Sequence, residues 1–183
     1  EIVVGSTWFD LLKKEDGPLE WLQFSQYLIS SIFGFFILFK IKKKKSLNSI
    51  IWLGLTIFCF FIAAEEISWG ERITGFNLDS ISEISIQGET NFHNLPFFHN
   101  YLLDPALQII CIFFGWIGWR KWPYLTSLPS KKLSLFFLLV ALFFAYYDLS
   151  WASTISHIRN DQEIFEFLLS TGIFLHFWDN LEI

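Results

Sequence analysis

The residues of this sequence with the clearest chemical potential are acids inside or beside apolar segments. Glu65 and Glu66 directly follow the apolar run that ends at Ala64, and Asp148 and Glu166 belong to later apolar segments. A charged group at membrane depth is costly and therefore usually faces the interior of a helix bundle. Carboxylates gathered at one depth repel one another unless a cation, bound protons or basic side chains relieve them. These acids therefore predict a site for a metal ion or a basic substrate.

A second set of candidate ligands lies in the segment QGETNFHNLPFFHN, residues 87–100. Glu89, His93 and His99 supply carboxylate and imidazole groups, which zinc, iron and manganese accept as ligands. Their spacing matches no standard metal motif such as HExxH. The alternative is that His93 and Asn94 only hydrogen-bond within the loop.

The two sets together predict one site for a divalent transition metal, which could be zinc, iron or manganese. Its predicted ligands are Glu66, His93, His99 and Asp148. The predicted general base, which would take a proton from a metal-bound water, is Glu89 or Glu166.

Five apolar segments are available to position these residues. The chain has 183 residues, of which 53% are hydrophobic, and its mean hydropathy of +0.44 exceeds that of an ordinary soluble domain. A helix needs about 20 residues to span a bilayer. We therefore expect an all-α fold, a polytopic membrane helix bundle in a single transmembrane domain over residues 1–183. The expected transmembrane helices cover about 20–40, 48–70, 102–120, 132–152 and 162–178. A soluble all-α protein is the alternative, but the apolar runs are long and nearly uncharged.

Helical spacing predicts which acids face the interior of this bundle. Small residues mark helix interfaces in membranes, and Cys59 and Ala63 share one helical row with Glu66. Glu66 is therefore expected to point inward. Glu65 lies about 100° away on the helix, so we expect it at the rim, paired with Arg72.

Two further helices show comparable rows. Ala141 and Ala145 are spaced from Asp148 as Cys59 and Ala63 are from Glu66, so Asp148 is also expected to point inward. The first helix carries one polar stripe, expected on the same interior, formed by Gln23, Gln26, Tyr27, Ser30 and Gly34. Cys59 and Cys111 are expected to be small buried residues, and His176 a packed or snorkelling one.

The charge distribution predicts the orientation of the bundle. Nine of the 13 Lys and Arg residues follow the first helix or lie in the loop between the third and fourth helices. The positive-inside rule therefore places that side and the C-terminus in the cytoplasm. The loop 76–100 then faces the outer side of a bacterial inner membrane, as do sixteen of the 18 acids. Within that loop, Ser80 and Glu83 form a capping box that predicts a short interfacial helix.

Three sequence blocks resemble those of a family of uncharacterised bacterial polytopic inner-membrane proteins. They are EDGPLEWLQ at 15–23, EEISWGERITGF at 65–76 and QGETNFHNL at 87–95. The family carries EDGxxEW, EEISWGQR and GETNxHN motifs in this order, and Glu71 stands here where Gln is expected. The resemblance implies that the chain is a membrane protein with the same site as that family. It implies no particular reaction. A weaker analogy is to ceramidase-like membrane hydrolases, which have seven helices and a paired-histidine motif that is missing here.

Three functions are compatible with these patterns. The first is a metal-dependent hydrolase acting on a lipid-like or envelope substrate, and the second is a non-catalytic integral subunit or assembly factor of a larger membrane complex. The third is an ion-binding or transport protein, although no internal repeat or broken helix pair supports it. The expected partners are the lipid bilayer and either a membrane protein or a second copy of the chain; a nucleic acid is not expected.

Overall fold

The computed structural model of the protein describes residues 17–41, 46–75, 79–85, 90–92, 95–97, 101–147 and 156–181. These residues form helices and connecting turns without a β-strand, which confirms the all-α class. The helices are α1 (Pro18–Lys40), α2 (Leu47–Glu66), α3 (Glu71–Thr74), α4 (Asp79–Ser82), α5 (Leu103–Ile112), α6 (Gly118–Lys121), α7 (Ser134–Tyr147) and α8 (Ser156–Asp179).

Local chemistry explains where α1 and α2 begin and end. Pro18 opens α1, where its missing N–H would have no helical partner, and Lys40 in the last turn complements the helix dipole. Ser46 caps α2, because its side chain accepts a hydrogen bond from the backbone N–H of Ser49 at 3.2 Å. Both helices are long and apolar enough to cross a membrane.

The apolar surfaces of α1 and α2 are largely exposed. Only 33% of the most apolar 18-residue window of α1 is buried, and 28% of that of α2. The exposed large side chains of α1 include Leu22, Ile29, Ile32, Phe35, Phe36 and Phe39. A surface helix of a soluble protein instead turns its apolar stripe toward the core.

The other three expected spans are less regular. α5 ends after 10 residues in a π-helical turn, Phe113–Ile117, before α6 completes the segment. The described part of α7 has 14 residues, and α8 carries several charged residues in its first half. Among the residues described, α1 and α2 alone meet the length and hydropathy needed for a span, so the five-span bundle stays a prediction.

The core brings α1, the first described helix, against α8, the last described one. α1 packs against α2 and α8, while α7 packs against α5 and α8. Trp52, Phe137, Phe144 and Phe177 are its largest fully buried side chains. Cys59 and Cys111 are buried free thiols, as predicted.

A glycine sets the closest approach of α1 to its neighbours. A methyl group at Gly34 would collide with the hydroxyl of Thr56 in α2 and would lie 2.8 Å from Cε1 of Phe177 in α8. Small residues allow helix backbones to approach each other in this way. The α1–α2–α8 contact therefore depends on a glycine at this position.

The segment between α3 and α5 is only partly described. A short helix within 76–100 is present as α4, which has four residues. Its expected position at a membrane surface stays a prediction. The predicted capping box is wrong, because α4 begins at Asp79 and ends at Ser82, so that Ser80 lies inside the helix and Glu83 lies beyond it. The predicted helix stop at Gly88 lies outside the described residues.

Candidate functional site

The chain leaves α2 through a strained turn. Ser68, Trp69 and Gly70 follow one another with φ values of 47°, 54° and 91°. Positive φ suits glycine but is unfavourable for serine and tryptophan, because Cβ crowds the backbone. Such conformations persist only where surrounding contacts enforce them, and they are concentrated at functional sites. The turn therefore marks this end of α2 as a candidate site.

Glu65 is the side chain that enforces this turn. Its Oε1 accepts a hydrogen bond from the indole N–H of Trp69, and its Oε2 accepts one from the backbone N–H of Phe92 at 2.7 Å. The Trp69 ring packs edge-on against Phe61 and Phe92, with centroids 5.5 and 5.9 Å away. Glu65 is consequently only 3% exposed, whereas its spacing predicted a position at the rim. The left-handed turn causes this difference, because it brings Trp69 back to the carboxylate.

A second carboxylate holds the returning loop. Oε2 of Glu71 accepts a hydrogen bond from the backbone N–H of Thr90 at 2.8 Å. Thr90 and the adjacent Asn91 are buried. The GETN block is thus attached to the end of α2 through two glutamates of the EEISWGER block, Glu65 and Glu71. This contact joins two of the blocks that carry the family resemblance.

Arg72 connects the same turn to α1. Its guanidinium forms an ion pair with Glu20, and the two side chains are 17% and 10% exposed. The sequence predicted Glu65 as the partner of Arg72 and did not single out Glu20. The sequence did contain a signal that Glu20 matters, since Glu20 lies in the first turn of α1 and in the EDGPLEWLQ block.

We expect this ion pair to be measurable by a double-mutant cycle. Glu20→Gln, Arg72→Met and the double variant should give a coupling energy of about 1–2 kcal/mol, above that of an exposed pair because both side chains are mostly buried. The measurement is thermal or denaturant unfolding in mild detergent. A coupling energy near zero would contradict a structural role for the pair.

Glu66 lies close to other acids. It interacts electrostatically with Glu166 and Glu163 of α8, with Glu20 and with Arg72. Glu66, Glu163 and Glu166 are named the carboxylate cluster below. Two of the predicted site residues, Glu66 and Glu166, therefore lie within electrostatic range of each other, and Glu163 is a third acid in the same range.

Amide side chains orient the acids of α8. Nε2 of Gln23 donates to Oε2 of Glu163 at 3.2 Å, and Nε2 of Gln162 donates to Oε1 of Glu166 at 2.8 Å. The side chain of Gln23 is fully buried, and its Oε1 has no hydrogen-bond partner among the described residues. A buried acceptor without a donor is costly, so the Oε1 of Gln23 is a free acceptor beside Glu163.

The polar stripe of α1 continues this contact with α8. Oγ of Ser170 donates to Oε1 of Gln26 at 2.5 Å, and Nε2 of Gln26 donates to Oγ1 of Thr171 at 3.0 Å. Tyr27 and Ser30 are buried, so the predicted interior position of the stripe is confirmed.

Four of the six predicted site residues, Glu89, His93, His99 and Asp148, lie outside the described residues. Asp148 was predicted to point inward because it shares a helical face with Ala141 and Ala145. Ala141 is buried, but Ala145 is exposed, so this face of α7 already leaves the core at Ala145. Within the described ranges, no group of three His, Cys, Asp or Glu residues could hold a metal ion.

Comparison with known proteins gives no match to a protein-family model, a curated protein or a solved structure. Arg72 is the only Lys or Arg side chain described at this end of the bundle, and it is paired with Glu20. Among the described residues at this end of the bundle, acids therefore outnumber basic side chains.

Proposed function

We propose that this protein is a bacterial inner-membrane protein of about five transmembrane helices that binds a divalent cation beside Glu66 at the outer end of the bundle. We further propose that it is a metal-dependent hydrolase of a lipid-like or envelope substrate. Glu66 would be one ligand, and the sequence adds His93, His99 and Asp148. Glu166, which lies near Glu66, would be the general base, with Glu89 as the alternative.

The membrane part of the proposal is supported by α1 and α2. Both have the length and hydropathy of a membrane span, and both expose most of their apolar surface. Exposed apolar faces of this size are unfavourable in water and are suited to lipid. The distribution of basic residues in the sequence supports a cytoplasmic C-terminus and an outer position for the carboxylate cluster.

One observation carries the cation-binding part: Glu66 interacts with Glu163 and Glu166, while Arg72 is paired with Glu20. The mutual repulsion of these acids would be relieved by a bound cation. The unpartnered Oε1 of the buried Gln23 supports the same conclusion, because a metal-bound water could donate a hydrogen bond to it.

The residues of the chain suggest distinct roles in hydrolysis. A bound metal ion would supply Lewis acidity and a more acidic water. Gln162 holds the carboxylate of Glu166 in one orientation, as a general base requires. Gln23 holds Glu163, which would contribute negative charge that attracts the cation.

The test is elemental analysis of the protein purified in mild detergent, with zinc, manganese and iron measured. We expect near-stoichiometric metal in the wild type and loss of that metal in Glu66→Gln and His93→Ala, because each removes a ligand. Glu166→Gln should retain the metal, as a general base would allow. Glu83→Gln is the matched control, since Glu83 is exposed in the segment after α4. A wild-type protein that holds no metal, even after dialysis against each ion, would contradict the proposal.

A second candidate function, a non-catalytic integral subunit or assembly factor, is favoured by one specific observation. Glu20, Glu65 and Glu71 all bind groups of their own chain, so part of the acidic character of this end has a structural use. Under this reading the exposed apolar faces contact another membrane protein or a second copy. Metal-free protein that co-purifies with one defined partner would favour this function over hydrolysis.

A further inference from the structure

A cavity of about 620 Å³ lies near the C-terminal end of α8, away from the carboxylate cluster. We name it the basic cavity; its lining includes Trp119, Trp122, Ser130, Lys131, Lys132 and His176. His176 follows Glu166 by ten residues on one helix, which corresponds to about 15 Å along the helix axis. The two sites are therefore separate.

The wall of the basic cavity is held firmly by the core. His176 is 3% exposed, and its ring stacks on Trp52 with centroids 5.0 Å apart. One ring nitrogen lies 3.2 Å from the carbonyl oxygen of Ser127, and the other lies 3.4 Å from Nδ2 of Asn180. The prediction of a packed His176 is thus confirmed, and the cavity is a formed feature of this end of the bundle.

The connection between α6 and α7 is also fixed. Oδ1 of Asn48, at the start of α2, accepts a hydrogen bond from the backbone N–H of Ser127 at 2.9 Å. Leu125, Leu128 and Pro129 in the same connection are buried. Contacts within the chain therefore fix the cavity wall on this side.

The charges around the cavity favour an anion. Lys131 and Lys132 line it, opposed by Asp179. Both lysines lie in the turn that leads into the N-terminus of α7, where the helix dipole adds positive character. Arg120 lies beside the cavity, with its guanidinium carbon 3.3 Å from the ring centroid of Trp116 and 4.7 Å from that of Trp119. Basic groups thus outnumber the acid at this position.

The cavity also lies where lipid headgroups would be. α1 ends here, since Lys40 donates a hydrogen bond to the carbonyl oxygen of Leu181. α2 begins here at Leu47, and the side chain of its second residue, Asn48, contacts Ser127. Trp119 and Trp122 line the cavity at this level, and tryptophan is enriched at membrane interfaces. Basic pockets at the cytoplasmic ends of membrane helices bind anionic headgroups. This step rests on the membrane-spanning part of the proposed function and is independent of the metal.

We propose that the basic cavity binds the phosphate headgroup of an anionic phospholipid through Lys131 and Lys132. The acyl chains would then lie along the exposed apolar surface of the helices. Trp119 and Trp122 would contact the glycerol region, where an aromatic ring with a polar N–H is favourable.

The test is a lipid titration of delipidated protein in detergent, followed by native mass spectrometry. The probes are phosphatidylglycerol, phosphatidylcholine with the same acyl chains, and soluble glycerol phosphate. We expect phosphatidylglycerol to bind most tightly, and Lys131→Gln and Lys132→Gln each to weaken its binding about fivefold, the effect of one basic residue near a phosphate. Lys121→Gln is the matched control, because Lys121 is exposed nearby but does not line the cavity.

Each outcome decides the proposal. Selective phosphatidylglycerol binding that falls in the Lys131 and Lys132 variants, but not in the Lys121 variant, supports it. Equal binding of phosphatidylcholine, or an equal loss in Lys121→Gln, overturns it. Glycerol phosphate that binds as tightly as phosphatidylglycerol would assign the cavity to a soluble phosphate ester and overturn the lipid assignment. Thermal unfolding of each variant shows that a loss of binding is not a loss of folding, and metal content measures the carboxylate cluster separately.

Discussion

Glu65→Gln is expected to lower the free energy of unfolding by about 2–3 kcal/mol, the contribution of a buried charged hydrogen bond. The carboxylate of Glu65 accepts from the indole of Trp69 and from the backbone of Phe92. An amide of the same shape has one oxygen, so one of these two donors would face an NH₂ group. The left-handed turn would then lose the contact that enforces it. Thermal unfolding in mild detergent measures the loss.

The adjacent glutamate provides the matched control. Glu66→Gln makes the same chemical change one residue along the helix, but it removes repulsion with Glu163 and Glu166. With both proteins kept metal-free by a chelator, its stability is expected to stay equal to that of the wild type or to rise, since a bound metal would itself stabilise the wild type. Equal destabilisation by the two substitutions would contradict the structural role given to Glu65. Limited proteolysis between residues 76 and 100 should also accelerate in Glu65→Gln alone, because the bond to Phe92 retains that loop.

Gly34→Ala is expected to destabilise the protein by about 3 kcal/mol, at the upper end of typical overpacking costs. The added methyl group would meet Thr56 at its hydroxyl and would lie 2.9 Å from its Cβ, which is fixed to the backbone of α2. Relief would require α1 to move away from both α2 and α8. The unfolding midpoint in detergent is the measurement, with cross-linking between α1 and α8 as a second readout.

Gly54→Ala is the control for this substitution. A methyl group at Gly54 would meet no atom within 4 Å, so the change tests helix propensity alone. Stability should stay constant or rise by up to about 1 kcal/mol. A similar loss in the two variants would show that the close approach at Gly34 does not limit packing.

Local signals in the sequence explain why α1 and α2 could be predicted. The expected ranges, 20–40 and 48–70, depend only on the length and apolar composition of two continuous segments of the chain. The burial of Gln23 and Ser30 followed from helical period, because a polar stripe on an apolar helix is favourable only when it faces protein. The same period predicted that Glu66 faces the interior of the bundle.

The remainder of the site depends on contacts that no local pattern contains. The positive φ of Ser68 and Trp69 opposes their residue preferences, and Gly70 is the one signal of it in the sequence. Glu20 and Arg72 are 52 residues apart, and their pairing depends on how α2 ends. Periodicity placed Glu65 at the rim because it assumes that the helix continues beyond Glu66.

The contact between α1 and α8 has a consequence for synthesis of the protein. Gln23 in α1 and Glu163 in α8 are 140 residues apart, and the side chain of Gln26 also has its described partners in α8. At about 5–20 residues per second, the ribosome needs roughly 7–28 s to progress from one helix to the other. During this interval the amide groups of the first helix lack the partners that they have in the finished protein. The polar contacts of α1 are therefore completed only after α8 has been synthesised and has packed against it.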